Sequence, residues 1–487
     1  MAPQKTCGCV NHPFQSRRDF LQRAAMGMGG IGLAMLFGKQ GEVLAEEALS
    51  PLAPKMPHFA ATAKRVIHIF PEGGPSQVDT FDPKPALEKY HGKLVKDVMP
   101  DFEKKAPQSA TQMGRLSGKF QRGGFTFKKY GQSGIEVSEL FPNLANHVDD
   151  MCIVRSMSTN SPVHEPAQLM MSCGDGLLVR PSFGAWTVYG LGAENQNLPA
   201  FVSLHPNGSV NSGDKHYGNA FLPGYTRGTV LATKQTDVNR MIEHIRSEST
   251  SIKEQRRQLD LLKEMNQDHL AQRGDGLLES RVQSFETAFR MQIEATDAFD
   301  ISREPAAIRT LYGETEQGRQ LLLARRLVER GVRFVQVWHG GWDTHDENDK
   351  GHKDLCKAAD QPLAALLQDL KQRGLLKDTL VLWAGEFGRT PTSDNNDVAK
   401  KKGIGRDHNA GGFTVWMAGG GMKGGLAYGS TDEFGAIAQD GRMDVHDLHA
   451  TILHALGFDH EKLTYRFSGR DFRLTDVHGN VNKALFA

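Results

Sequence analysis

The chain has 487 residues, which is enough for one large domain or two to three ordinary ones, with a large buried core. Hydrophobic residues make up 39% and charged residues 24%, a composition typical of soluble globular proteins that argues against disorder, a coiled coil or a polytopic membrane protein. The formal net charge of +1 gives no overall attraction to nucleic acid or to an anionic membrane.

The N-terminus has the pattern of an export signal. The pair Arg17 and Arg18 precedes an apolar, glycine-rich stretch over residues 24–37, which is shorter than the about 20 residues that span a bilayer. A basic region before a short apolar one is typical of a signal peptide, and paired arginines indicate the twin-arginine type. We therefore predict a leader over residues 1–45 and a linker over 46–63. The mature protein would be periplasmic or exported through the twin-arginine machinery, with no stable membrane span after cleavage.

Beyond the linker, buried strands alternate with helices. The strands are predicted at residues 65–70, 151–155, 199–204, 332–338, 379–383 and 413–417. The helices are predicted at residues 163–173, 357–372 and 445–456, and a charged helical segment covers about 237–330. That segment has no sustained heptads, which indicates a helical cover or insertion. Alternating strands and helices predict an α/β fold with a mostly parallel central sheet.

Histidines and carboxylates recur beside the predicted strand ends. In open α/β sheets, ligands bind beyond the carboxyl ends of the strands, so these side chains are the first candidates for a site. They are Glu72, Ser76 and Asp79 after the first strand, Asp343 and His345 after a middle strand, Glu386 and Arg389 after the next, and Asp407 and His408 before the last. Carboxylate and imidazole groups from several strands could hold a divalent cation. Alternatively, Asp343 caps a turn and His345 lies on the surface.

Arg389 has two interpretations. Its guanidinium fork suits an oxyanion such as sulfate, phosphate or carboxylate. It could equally form a structural ion pair with Glu386. The C-terminal histidines, in contrast, are spaced as surface or packing residues of a helix rather than as a zinc site.

Four segments, 73–85, 341–345, 385–391 and 405–409, occur in an order that is similar to that of a known group of proteins. In them the chain resembles the sulfatase-like branch of the alkaline phosphatase superfamily. More closely, it resembles a planctomycete-type family of exported, sulfatase-like proteins of no settled function. This resemblance implies a single alkaline-phosphatase-like α/β sandwich domain over residues 64–487, with a helical insertion at about 237–330.

The resemblance extends to the site, with substitutions. Residues 162–174 are similar to the sulfatase nucleophile segment, but His164 stands at the nucleophile position and Gln168 at the arginine position. A histidine cannot become the formylglycine that sulfatases need. It could be a metal ligand, a general base or a nucleophile. Phe387 stands where the superfamily has a ligand histidine.

Together, the strand ends and the resemblance predict a metal-assisted hydrolase. A divalent cation (Ca, Zn, Mn or Fe) would be bound by Asp343, His345, Glu386 and His408, and His164 and Arg389 would be catalytic. Support around the ligands could come from Glu72, Ser76, Asp79 and Asp407. The substrate would be a sulfate or phosphate ester of a small molecule or polysaccharide. The alternative is a catalytically degenerate scaffold of the cell envelope that binds a glycan or a protein, which the residues at 164, 168 and 387 favour.

Overall fold

The computed structural model describes residues 51–100, 118–206, 213–242, 245, 249–273, 276–393 and 404–487. The predicted leader lies outside these residues. The chain divides into two units, residues 1–53 and 54–487, and all the elements below belong to the second. Whether residues 64–487 form a single domain with an insertion stays a prediction. None of the helices in the described part of the chain is both long enough and apolar enough to cross a membrane.

The strands form one central sheet and several two-stranded sheets. They are β1 (Arg65–Pro71), β2 (Phe127–Tyr130), β3 (Ile135–Ser138), β4 (Met151–Ser158), β5 (Phe201–His205), β6 (Thr229–Ala232), β7 (Phe334–His339), β8 (Thr379–Trp383), β9 (Gly388–Ser393), β10 (Arg406–Asn409), β11 (Phe413–Ala418), β12 (Leu426–Tyr428), β13 (Ser430–Thr431), β14 (Ala438–Asp440), β15 (Met443–Asp444), β16 (Tyr465–Phe467) and β17 (Arg470–Phe472).

The helices range from single turns to 25 residues. They are α1 (Gln77–Thr80), α2 (Ala86–Lys89), α3 (Val95–Val98), α4 (His164–Cys173), α5 (Phe183–Leu191), α6 (Val238–Met241), α7 (Ile252–Arg273), α8 (Gly276–Phe299), α9 (Ala306–Tyr312), α10 (Glu316–Glu329), α11 (Asn348–Gln372) and α12 (Val445–Ala455).

The predicted α/β fold with a mostly parallel sheet is confirmed. The largest sheet of the described part has nine strands, in the order β12-β4-β11-β8-β1-β7-β5-β6, with β15 added beside β4. Strands β8, β1, β7, β5 and β6 run parallel, whereas β11 is antiparallel to both β8 and β4. The apolar runs of all these strands except the edge strand β6 are buried along nearly their whole length because helices cover the sheet.

The described part of the charged segment at 237–330 is mostly helical, with α6 to α10, but its last helix is not a surface cover. Helix α10 buries Leu321, Leu323 and Leu327 completely or almost so, in the same hydrophobic core as strand β7. Its apolar residues recur at helical spacing, which gives it one face for the sheet.

Helix α11 begins at Asn348 rather than at residue 357. Its first turns are rich in charge and contain Gly351, so they lack the apolar pattern that marks a buried helix. Two polar side chains there are nonetheless buried, Asn348 and His352, because Asp79 and the backbone of Ser76 bind them. The helix start is therefore specified by contacts with the β1 loop rather than by local sequence.

The sheet register brings three loops together. Strand β1 lies between β7 and β8, with Pro71 opposite His339 and Ile69 opposite Trp383. Since these strands are parallel, the loops that follow them start at one edge of the sheet. Those loops carry Glu72 to Ser76, Asp343 to His345, and Glu386.

Candidate metal centre

Four side chains converge at this edge of the sheet. They are His164, Asp343, His345 and His408, and one ligand atom from each lies within 4.8 Å of the other three. The Oδ1 atom of Asp343 is 3.2 Å from His164 Nε2, 3.0 Å from His345 Nε2 and 3.1 Å from His408 Nε2. The group combines the loop after strand β7, the first residue of helix α4 and strand β10, so residues far apart in sequence form one site.

A buried carboxylate binds the His164 imidazole on the side that faces away from the cluster. Its Nδ1 donates to Glu386 Oε1 over 2.8 Å, and the Glu386 side chain is completely buried. The same oxygen accepts from the Gly73 N–H and from Gln168 Nε2. With its Nδ1 proton committed, His164 directs its buried Nε2 towards the cluster, 3.2 Å from Asp343 Oδ1. A carboxylate behind an imidazole is the arrangement that orients histidine ligands in metal sites.

His408 is oriented in the same way by a backbone carbonyl. Its Nδ1 donates to the Pro162 carbonyl over 2.6 Å, which leaves Nε2 for the cluster. The Phe387 ring stacks on His408 with centroids 4.6 Å apart and lies 4.9 Å from the His164 ring. Phe387 therefore restricts the rotation of two imidazoles at once.

Arg389 fixes the carboxylate of Asp343. Its buried guanidinium donates from Nη2 to Asp343 Oδ1 over 2.6 Å. Further N–H groups are donated to the carbonyls of Gly73, Gly74 and Trp342 in two loops, and to that of Arg406 at the start of strand β10. A guanidinium with its donors so occupied orients Asp343 and clamps the loops; it does not face a substrate.

The charges at this site need a cation or extra protons. Neutral His164 and His408 with their protons on Nδ1 would point Nε2 lone pairs at a carboxylate oxygen, which is repulsive. In the metal-free chain, burial lowers the pKa of His164, but the carboxylates of Asp343 and Glu386 outweigh it and raise this pKa to about 9. Burial raises the pKa of Asp343, yet the three imidazoles and Arg389 hold it far below its usual range. The pKa of His408 is lowered, chiefly by burial.

This donor set fits a transition-metal ion. Three imidazole nitrogens and one carboxylate oxygen are ligands of Zn²⁺, Mn²⁺ and Fe²⁺, whereas Ca²⁺ takes six to eight oxygens. Such an ion would be bound by His164 Nε2 and by Asp343 Oδ1, which lie 3.2 Å apart at the buried end of the cluster.

Gly73 and Gly405 allow the loops to approach this closely. Gly73 has φ +116°, and a Cβ there would lie 2.3 Å from the Asp343 nitrogen. A Cβ at Gly405 would lie 1.9 Å from the His345 carbonyl oxygen. Both positions need glycine because the neighbouring atoms are backbone and cannot move aside.

A second, buried polar network lies next to the segments that carry the cluster. Arg406 Nε donates to Asp79 Oδ2 over 2.8 Å, and both side chains are completely buried. Ser76 Oγ and Asn348 Nδ2 donate to the same oxygen. Burial raises the pKa of Asp79, but Arg406, His352 and Ser76 outweigh it and lower this pKa. Because Arg406 lies two residues before His408, this network anchors strand β10.

The predicted site residues therefore occupy different positions around one centre. Asp343, His345 and His408 lie together as predicted ligands would, and His164 joins them. Glu386 does not belong to the cluster but binds His164 Nδ1, on the side of the ring that faces away from it. Ser76 and Asp79 belong to the supporting network. Asp407 is buried beside His408 and its Oδ1 accepts from the His408 N–H, while Glu72 is half-buried next to Gly340.

Two contributors to the site have no clear signal in the sequence: the Pro162 carbonyl, and the contacts by which Arg389 holds Asp343 and the neighbouring loops. Backbone carbonyls have no sequence signal. The Gly-Gly pair at 73–74 was the available clue to a close approach, since glycine there leaves room for the Asp343 loop and for Phe387.

Solved structures with partial similarity come from several bacterial enzymes. The lipoteichoic acid synthase LtaP from Listeria monocytogenes is 11% identical, with 84% of this chain and 76% of that chain covered and a TM-score of 0.32. The alkaline phosphatase of the Antarctic bacterium TAB5 is 11% identical, with 74% and 92% covered and a TM-score of 0.29. The sulfatase PsFucS1 from Pseudoalteromonas sp. is 10% identical, with 89% and 72% covered and a TM-score of 0.33. At these scores the similarity assigns no activity.

The comparison with protein families gives a firmer result. A search of curated proteins returned no match. Residues 63–486 match the family described as "Protein of unknown function (DUF1501)", which is most of the chain. The chain therefore belongs to this family.

Proposed function

We propose that the chain is a metal-dependent hydrolase of phosphate or sulfate esters, with His164, Asp343, His345 and His408 as the metal ligands. The observation that carries this proposal is the convergence of three imidazole Nε2 atoms on one carboxylate oxygen. The expected ligand set changes in one place, because Glu386 contacts His164 and not the centre of the cluster.

Each residue of the site has a distinct task in this proposal. Glu386 keeps the His164 proton on Nδ1, and the Pro162 carbonyl does the same for His408. Arg389 holds the Asp343 carboxylate in place and adds positive charge near a developing anion. A bound divalent ion would supply Lewis acidity towards the ester oxygens and a lowered pKa for water.

The ligand chemistry favours phosphate esters over sulfate esters. Nitrogen-rich ligation selects Zn, Mn or Fe rather than Ca. We associate the former ions with phosphate ester hydrolysis and Ca with sulfate ester hydrolysis. The resemblance of segments 73–85 and 385–391 to sulfatases supports the broader class of ester.

Hydrolysis of 4-nitrophenyl phosphate and 4-nitrophenyl sulfate by protein loaded with Zn, Mn, Fe or Ca tests the proposal. We expect turnover of the phosphate ester with a transition metal, and a loss of at least 100-fold in kcat/KM for His408→Ala and Asp343→Ala. His446→Ala is the control because His446 lies on helix α12, outside the cluster, and it should keep full activity. Equal turnover by wild type and His408→Ala would overturn the proposal.

One observation favours the alternative of a non-catalytic scaffold. The donors of Arg389 are occupied by protein oxygens, so this residue is not set to bind an ester anion. The alternative predicts a bound metal without turnover of either ester, together with binding of a glycan or an envelope protein. The hydrolysis assay and a binding assay on the same preparation separate the two functions.

We also propose that the chain is exported by the twin-arginine machinery, for which the leader pattern is the support. Replacing Arg17 and Arg18 by lysine in the full-length chain should retain the protein in the cytoplasm. Export that persists in this variant would contradict the assignment.

A further inference from the structure

One loop of the surface presents three consecutive exposed aliphatic side chains, Leu177 to Val179. Leu177 is 87% exposed, and Leu178 and Val179 are both more than half exposed. Hydrogen bonds hold the loop in this form, because the Asp175 carboxylate accepts from the N–H groups of Leu177 and Leu178 over 2.9 Å each. Apolar side chains that are presented together in this way mark an interaction surface.

The hairpin of strands β16 and β17 adds aromatic surface. Its turn is formed by Ser468 and Gly469, both at positive φ, and Phe467 beside the turn is exposed. The Phe467 ring stacks on the Phe221 ring, with centroids 5.0 Å apart and planes 15° apart. An isolated two-stranded hairpin is marginally stable in water, so contacts of this kind are needed to hold it.

Two arginines join the loop, the hairpin and a third segment into one surface. The Arg180 guanidinium lies 4.7 Å from the centroid of the Phe472 ring, and that of Arg470 lies 4.8 Å from the same centroid. Arg470 also forms an ion pair with Asp476, and the next residue, Val477, is 70% exposed. The hairpin face consists of residues 175–180, 465–472 and 476–477.

The charges of the hairpin face and its rim cancel. Residues 175–180 and 459–477 contain five Lys or Arg and five Asp or Glu, which form five ion pairs. The pairs are Arg180–Asp175, Lys462–Asp459, Arg466–Asp471, Arg470–Asp476 and Arg473–Glu461. A neutral face does not attract a polyanion or an anionic membrane, whereas a second copy of the same face meets no net repulsion.

A pocket of about 390 Å³ lies beside the exposed loop. Pro166 and Met170, one turn apart on helix α4, line it together with Leu177. Asp476 and His478, the neighbours of Val477 in the chain, are also in the lining. In a two-fold contact both copies present the same surface, so a protruding side chain beside a pocket on one copy can enter the pocket of the other.

We propose that the hairpin face is the interface of a two-fold dimer of this chain. The loop of residues 177–179 from each copy lies against the pocket and the hairpin of the other, which buries the exposed aliphatic and aromatic surface of both. Aromatic residues and arginine, which the hairpin supplies, are enriched in protein interfaces. The occupant is a second copy because the face is neutral as well as apolar, and two-fold dimers are the commonest closed oligomers.

Sedimentation equilibrium of the full-length chain tests this dimer. We expect twice the mass of one chain at micromolar concentration. Leu177→Asp and Val477→Asp place a charge at exposed positions that the core does not use, and each should raise the dimer dissociation constant at least about tenfold. Leu261→Asp is the matched control, since Leu261 is 59% exposed on helix α7, outside the hairpin face, and this variant should dimerise as the wild type does.

A pair of charge reversals tests whether the partner is the same face. Arg466 and Asp471 are both exposed and pair with each other over 3.2 Å, so neither holds the core. Arg466→Glu gives each face a negative surplus and Asp471→Lys a positive one, so each variant alone should dissociate. An equimolar mixture of the two should recover the dimer, because opposite charges then meet.

A wild-type protein that stays monomeric at every concentration would overturn the inference. Sedimentation of that monomer with phosphatidylcholine vesicles would instead assign the exposed side chains to a lipid surface. A dimer that both Leu177→Asp and Val477→Asp leave unchanged would also overturn it, as would two charge variants that dissociate and do not recover when mixed. The inference does not rest on the proposed function, which the hydrolysis assay decides separately.

Discussion

Glu386 shows how a single buried residue can determine the chemistry of its neighbour. Its Oε1 atom holds the Nδ1 proton of His164 and also accepts from Gly73 and Gln168. Its Oε2 atom is buried without a partner. A carboxylate in this position raises the basicity of the imidazole and fixes its orientation, although it touches no metal itself.

The variant Glu386→Gln tests this role. Its side chain has the same shape but no charge, so His164 loses the anion that favours its Nδ1–H form. We expect metal affinity to fall about 10- to 100-fold, as measured by competition with a chelator. Glu165→Gln, an exposed neighbour of His164, is the control and should bind metal as the wild type does. Unchanged affinity in Glu386→Gln would show that the carboxylate does not support a ligand.

Elements with an apolar pattern were predictable from the sequence, and elements fixed by polar contacts were not. Strand β8 was predicted over its whole length because Leu380 to Trp383, after Thr379, is a continuous apolar run that only a covered sheet can bury. The start of helix α11 was missed because Asn348 and His352 are buried through contacts with the β1 loop, which lies far away in sequence. The strand-end rule gathered Asp343, His345 and His408, but it could not show which side of His164 faces Glu386.

The buried pair of Asp79 and Arg406 ties helix α1 to strand β10 and thereby positions His408. Asp79→Ala would leave a charged guanidinium buried without its partner. We expect a loss of about 3–5 kcal/mol in the free energy of unfolding, measured by urea denaturation, together with weaker metal binding. Asp378→Ala removes a partly exposed pair with Lys64 and Arg65 and should cost about 0–1 kcal/mol. Equal losses in the two variants would contradict the anchoring role of Asp79.

At the scale of the whole molecule, several histidines are part of the core. Burial lowers the pKa of His68 to about 4, and that of His205 and His449 to about 3. The ordinary value is 6.5, so below this pH the unfolded chain binds protons that the folded chain does not. Their contribution to stability is therefore complete above pH 6.5 and is lost as the pH falls towards 3–4.

For each of these histidines, the free energy of unfolding should fall by about 1.4 kcal/mol for every unit by which the pH is lowered in that window. We expect the midpoint of urea unfolding to fall steeply between pH 6.5 and 4.5. His449→Gln keeps a donor for the Met171 carbonyl, to which His449 Nε2 is bonded over 2.8 Å, but it cannot titrate, so its profile should be flatter. A variant profile parallel to that of the wild type would show that His449 does not contribute.

The most direct test of the metal centre is elemental analysis of the folded protein purified without chelators. We predict about one equivalent of Zn, Mn or Fe per chain, retained through dialysis and lost in His408→Ala and Asp343→Ala, with both variants still folded by circular dichroism. Well-folded wild-type protein that holds no metal, and takes up none when each ion is added, would contradict the account. It would mean that protons on the imidazoles balance the charge of Asp343.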